Sequence, residues 1–206
     1  MWSSIHSKIK KRILGMSLGT VFSIADFNDL AVTETTSKVL GRLKDEGVIQ
    51  KIARGVFWRP NGSDSLPPPH EVASALARGN MWDFAPSGTT ALYLFGMEAK
   101  PPKIWTYVTD GTYREYLVND SEIKFSHTTG KLLNEMSAKT KMLVQVIKFY
   151  GKDKLTDELL SVLRQKISGT EEEKIIEETK NAPAWIVDAI KRMFGKKIRY
   201  GFSGAR

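Results

Sequence analysis

Lys38 and Arg42 lie four residues apart in "TETTSKVLGRLKDEG", with Thr35 and Ser37 beside them. Lys51, Arg54 and Arg59 follow before Pro60. Residues of these types, so spaced, suit contact with a polyanion. A guanidinium can grip a phosphate or the acceptor edge of guanine with two parallel hydrogen bonds. An ammonium supplies a point charge, and a hydroxyl can bond either a base or a phosphate.

Residue sets for covalent or metal chemistry are absent from the sequence. His6, His70 and His127 are far apart, with no HxxH or HExxH pair, so no metal site is expected. Pro86-Ser87-Gly88 has the look of a nucleophile turn, but no GxSxG surrounds it, and Ser87 reads as a helix cap. There is no P-loop and no GxGxxG. Turn chemistry accounts for Asp110 and a strand face for Glu115, while Met136, Met142 and Leu143 read as core. The chain has no cysteine, which excludes disulfides, thiolate metal sites and cysteine nucleophiles. The expectation is a non-enzymatic protein without metal or cofactor. A nuclease using scattered carboxylates is the enzymatic alternative.

Charge agrees with a polyanion partner. The net charge is +8, and residues 1–60 hold 10 Lys and Arg against 5 Asp and Glu. Bases release counterions from phosphates, so such an excess favours nucleic acid. No apolar run approaches the length of a membrane span, and the start of the chain has no apolar signal region. The protein is read as cytoplasmic, with no membrane partner.

The elements that would hold these bases follow from periodicity. Ile5, Ile9 and Ile13 with Leu14 form the apolar face of a helix over 3–14, opposite Lys8, Lys10, Lys11 and Arg12. "GTVFSIADF" breaks the pattern, and Ser23 caps a short second helix over 24–30. Thr33 is the expected cap of a third helix running to Glu46, with Gly47 as its left-handed stop. With Leu40 and Leu43 inward, and Thr36 and Val39 flanking them, the outward face carries Glu34, Ser37, Lys38, Gly41, Arg42 and Asp45. Thr35 lies at its edge, and Lys44 points elsewhere. Val48–Ala53 and Val56–Arg59 alternate as a hairpin around Arg54-Gly55, with Val56 and Trp58 on one face and Phe57 on the other. Three helices and a hairpin make the winged helix-turn-helix plan. Its last helix enters the major groove of duplex DNA, and its hairpin follows the backbone.

"PNGSDSLPPPH", residues 60–70, marks a linker. The expected division is a DNA-binding domain over 1–62 and a second domain over 68–206. The latter is mixed α/β, with a small antiparallel sheet over 103–129 and helices near 137–150, 156–167, 171–180 and 183–194. The fold class is therefore α+β. The tail "KRMFGKKIRYGFSGAR" sets Phe194, Tyr200 and Phe202 among Lys196, Lys197 and Arg199, a composition suited to stacking and phosphate contact.

The span 20–150 resembles the AbiEi-type antitoxins and a related group of bacterial proteins of unknown function. The likeness lies in Arg42-Leu43, Gly47, Val48-Ile49, Arg54-Gly55-Val56-Phe57 and Pro60. It continues in Pro86-Ser87-Gly88, Ala91-Leu92, Gly96 and the strand carrying Thr109-Asp110-Gly111. It implies an antitoxin of a type IV toxin–antitoxin system, linked to phage defence. Such a protein represses its own promoter at inverted repeats and counters a nucleotidyltransferase-like toxin without a lasting complex. A stand-alone transcriptional regulator, with a second domain that senses a ligand or dimerises, is the alternative.

Overall fold

The computed structural model describes residues 4–62, 66–118, 120–129, 133 and 135–196. It is a mixed α+β protein, as expected. Its chain divides into two compact units. One runs to Phe84 and adds Lys103–Trp105 and Gly111–Ser126. The other comprises Ala85–Pro102, Thr106–Asp110 and the chain from His127 on.

The first unit opens with α1 (Ile5–Gly15), whose Ile9 and Ile13 are buried, while Ile5 and Leu14 at its ends stay exposed. Strand β1 (Val21–Ser23) follows, then a 3-10 helix (Ile24–Phe27) and α2 (Thr33–Asp45). The second predicted helix is thus one short turn. Its cap is also reversed: the Asp26 carboxylate accepts from the Ser23 amide (2.8 Å), while the buried Ser23 Oγ has no partner among the described residues. Helix α2 begins at Thr33 itself, with Val32 at the cap position, and Gly47 is left-handed (φ +73°) just beyond its end. Gly47 thereby lets the Val48 amide reach the Leu43 carbonyl at 3.0 Å.

Strands β2 (Gln50–Ala53) and β3 (Val56–Trp58) form the predicted hairpin, closed by Gly55 at φ +75°. The sheet has a third strand, in the order β1-β3-β2. β1 pairs antiparallel with β3 through Val21 with Trp58, Phe22 with Phe57 and Ser23 with Val56. Sequence periodicity missed β1, because three residues carry no period and only the pairing makes them a strand. Phe22 and Phe57 stack with centroids 6.2 Å apart in a core with Ile9, Ile13, Phe27, Leu40, Leu43 and Ile49. Helix α3 (Pro69–Gly79) packs on the other face, against β1 and β3. All three β3 residues are therefore buried, and β3 has no solvent face. The polyproline segment leads into α3, with Pro68 at the cap and Pro69 in the first turn, where a missing amide hydrogen costs nothing. The buried face of α3 is rich in alanine (Ala73, Ala75, Ala77), so the helix lies close on the sheet. A Cβ on Gly79 would stand 3.5 Å from that of Ser23.

Strands β4 (Phe84–Pro86), β5 (Ile104–Thr109), β6 (Arg114–Val118) and β7 (Ser121–His127) form a sheet in the order β4-β5-β7-β6. Three of these strands lie in the predicted stretch 103–129, and β4 adds a fourth.

The second unit contains α4 (Gly88–Leu94), α5 (Ala138–Tyr150), α6 (Asp157–Gln165), α7 (Glu172–Glu178) and α8 (Ala184–Met193). Their apolar faces share one core, including Leu143, Val144, Ile147, Leu160, Leu163, Ile186 and Ile190. Each large side chain removed from water contributes roughly 1.5–3 kcal/mol. The N-terminus of α5 is closed by a residue distant in sequence: Glu178 accepts from the Ser137 amide (3.1 Å) and hydroxyl (2.8 Å) and from the Thr140 hydroxyl.

Candidate nucleic-acid interface

Helix α2 buries Thr36, Val39, Leu40 and Leu43, the last two completely. Spacing at 100° per residue then leaves Glu34, Ser37, Lys38, Arg42 and Asp45 outward, and all five are exposed. Thr35 and Gly41 are half-exposed at the margin of that face. Among the described residues Lys38 and Arg42 make no ion pair and no side-chain hydrogen bond. Lys51 on β2 and Arg54 in the turn are likewise exposed and unpaired among the described residues. Four cations in one unit thus keep their charges available to an outside anion. Of the two acids on the α2 face, Asp45 meets Lys44 at 3.0 Å, and Glu34 sits in the first turn, where the helix dipole favours a negative charge.

Gly41 has a further property. A Cβ added there meets nothing within 4 Å. Among the described residues no neighbour requires a glycine at this position in the helix interior, where glycine lowers stability by about 1 kcal/mol relative to alanine.

Arg59 is placed differently from the other sequence-predicted bases. It is half-buried, and its guanidinium turns back to donate to the carbonyl oxygens of Leu14 (2.9 Å) and Met16 at the end of α1. Helix ends leave carbonyls without amide partners, and a cation there satisfies them. Arg59 is a clasp between β3 and α1, and alternation along the hairpin could not reveal a partner 45 residues away.

A model of DUF6088, a family of unknown function, matches residues 8–175. The chain belongs to the DUF6088 family. No curated protein matches it. Among solved structures, the crystal structure of RV2827C protein from Mycobacterium tuberculosis is similar at 13% identity. That match covers 96% of this chain and 83% of the other, with a TM-score of 0.43.

In this DUF6088 chain several bases that sequence could not distinguish from solvated charge are structural. Arg12 grips Asp29 with two bonds, at 2.6 and 2.7 Å. It also donates to the Asp26 carbonyl at 3.1 Å and lies 5.8 Å from the Phe27 ring centre. The hydrogen bond and charge of Arg12 hold the Asp29 carboxyl below its ordinary range. Arg78 joins α3 to the same turn through Asp26, at 3.1 and 3.3 Å. Lys10 pairs with Glu46 at 2.7 Å, tying α1 to the end of α2.

The remaining candidates also find places. Ser87 stands at the cap position of α4 without a side-chain cap bond, and its backbone is paired with Thr106 in both directions (2.9 and 2.8 Å). Glu115 meets Lys124 at 2.9 Å and Tyr113. Among the described residues no cluster of three or more His, Asp or Glu is placed to hold a metal, and no helix is long and apolar enough to cross a membrane. Phe194 belongs to the core, 6% exposed with Arg164 over its ring, which corrects its expected stacking role. Lys196 lies 3.7 Å from Glu172. Lys197, Arg199, Tyr200 and Phe202 lie outside the described residues.

Proposed function

We propose that residues 1–62 form a winged helix-turn-helix module for duplex DNA, with α2 as the helix that enters the major groove. Lys38 and Arg42 contact base edges or phosphates there, with Ser37 on the same face and Thr35 at its margin, and Lys51 and Arg54 contact the backbone from the hairpin. One observation carries this reading. Among the described residues Lys38 and Arg42 are exposed and unpaired on the face of α2 opposite Leu40 and Leu43, while Lys10, Arg12, Arg59 and Arg78 of the same unit are committed to partners within the chain. An exposed cation left without an acid is the residue that gains most from a phosphate.

The wider reading rests on the resemblance to AbiEi-type antitoxins. The chain is proposed to repress its own operon in the cytoplasm and to counter a nucleotidyltransferase-like toxin without a stable complex. Two experiments separate the halves. A band-shift with DNA upstream of the gene tests the repressor, and equal binding to random DNA would remove that role. Co-expression with the neighbouring open reading frame tests the antitoxin. Growth arrest that this chain does not relieve would remove that one.

A further inference from the structure

The outer face of α1 borders an open groove of about 580 Å³ lined by Lys8, Lys11, Arg12, Gly15, Met16 and Leu30. The three bases in it are not equivalent. Arg12 is neutralised by Asp29. Lys8 and Lys11 are exposed and have no partner among the described residues. They stand three apart on the helix, so their side chains leave the same surface about 5–6 Å from one another at Cβ. Leu30 belongs to the turn that leads into α2. The groove is therefore next in the chain to the start of the helix assigned to the major groove, and its charge is of the same sign.

We propose that this groove is a second DNA contact, seating the phosphate backbone beside the segment read by α2, with Lys8 and Lys11 as the two bases that meet phosphates. The inference rests on the DNA-binding reading above. It adds a contact that carries no sequence preference, because ammonium groups on phosphates measure charge and spacing rather than bases. Gly15, Met16 and Leu30 add uncharged lining beside the two lysines, and the nearby Asp29 is already paired with Arg12.

The test uses the full chain and its Lys8→Gln/Lys11→Gln variant, titrated with the upstream duplex and with a scrambled duplex over a range of salt. Both lysines are exposed and unpaired among the described residues, so the variant should fold, and Lys8→Arg/Lys11→Arg serves as the charge-conserving control. The expected result is an equal-fold loss of affinity for both duplexes, with the salt slope reduced by about 2, or about one for each phosphate no longer neutralised. The arginine variant should restore both. Normal binding by the original chain with an unchanged slope in the glutamine variant would overturn the groove alone. No binding by the original chain would overturn the DNA reading with it. An unchanged slope together with reduced self-association in sedimentation would make the face a contact between copies of the chain.

Discussion

The indole of Trp82 occupies the space that a side chain at position 111 would need: a Cβ on Gly111 would stand inside 3.0 Å of Nε1, Cε2 and Cδ1 of the ring. The ring cannot withdraw freely, because Trp82 also packs edge-on against Phe125 at 5.5 Å, and Phe125 in turn meets Tyr116 at 6.0 Å. The glycine of Thr109-Asp110-Gly111 is thus set by steric contact. Gly111→Ala should destabilise the protein by about 1–3 kcal/mol through overpacking, read as a fall in Tm or in the denaturant midpoint. Adding Trp82→Leu should recover part of that loss. Strictly additive losses in the double variant would refute the contact as the cause.

Arg42 is the sharpest probe of the DNA reading. Arg42→Ala should weaken binding to the upstream duplex by about 1–3 kcal/mol if the side chain reads a base, and much less to scrambled DNA. Arg54→Ala should instead weaken both duplexes alike and lower the salt slope by about one. Fluorescence anisotropy over a salt series distinguishes the two patterns.

Gly41 separates stability from binding. With open space around the missing Cβ, Gly41→Ala should raise stability by about 1 kcal/mol through helix propensity alone. If a DNA backbone approaches α2 at this point, the same methyl group should weaken binding. A variant that is more stable and binds as well as the original chain would show that nothing comes close there.

Arg59 should behave in the opposite way. Its bonds to the carbonyls of Leu14 and Met16 place its role in folding. Arg59→Ala should cost about 1–3 kcal/mol of stability, since carbonyl groups would lose a charged donor. The salt slope for DNA should be unchanged when measured under conditions where the variant is folded. A lowered slope with unaltered Tm would return Arg59 to the binding surface.

Glu178 sets a pH dependence. Burial pulls its carboxyl upward, but hydrogen bonds from Thr140 and Ser137 outweigh this and hold it below its ordinary value of 4.5. A carboxylate with a lower pKa folded than unfolded stabilises the fold above the unfolded value. That contribution is lost as pH falls from about 4.5 through the folded pKa. Denaturant midpoints measured across this acid range should fall less steeply for Glu178→Gln than for the original chain. Parallel curves would count against the linkage.

The α+β class, the buried stripe of α2, the left-handed stop at Gly47, the hairpin turn at Arg54-Gly55 and the later helices were all legible in the sequence. Each of these rests on period, cap or turn chemistry within a few residues. The outward face of α2 was legible for the same reason: Leu40 and Leu43 fix its rotation, and Lys38 and Arg42 follow. Which bases remain available depends on long-range packing. Lys51 and Arg59 look alike in an alternating hairpin, yet one stays exposed and the other closes the end of α1. The structure also made Val21–Ser23 a strand, laid α3 over the sheet and placed Glu178 at the start of α5. Such pairings join residues tens of positions apart, and their energy comes from groups that meet only once the chain has folded, so no local pattern encodes them.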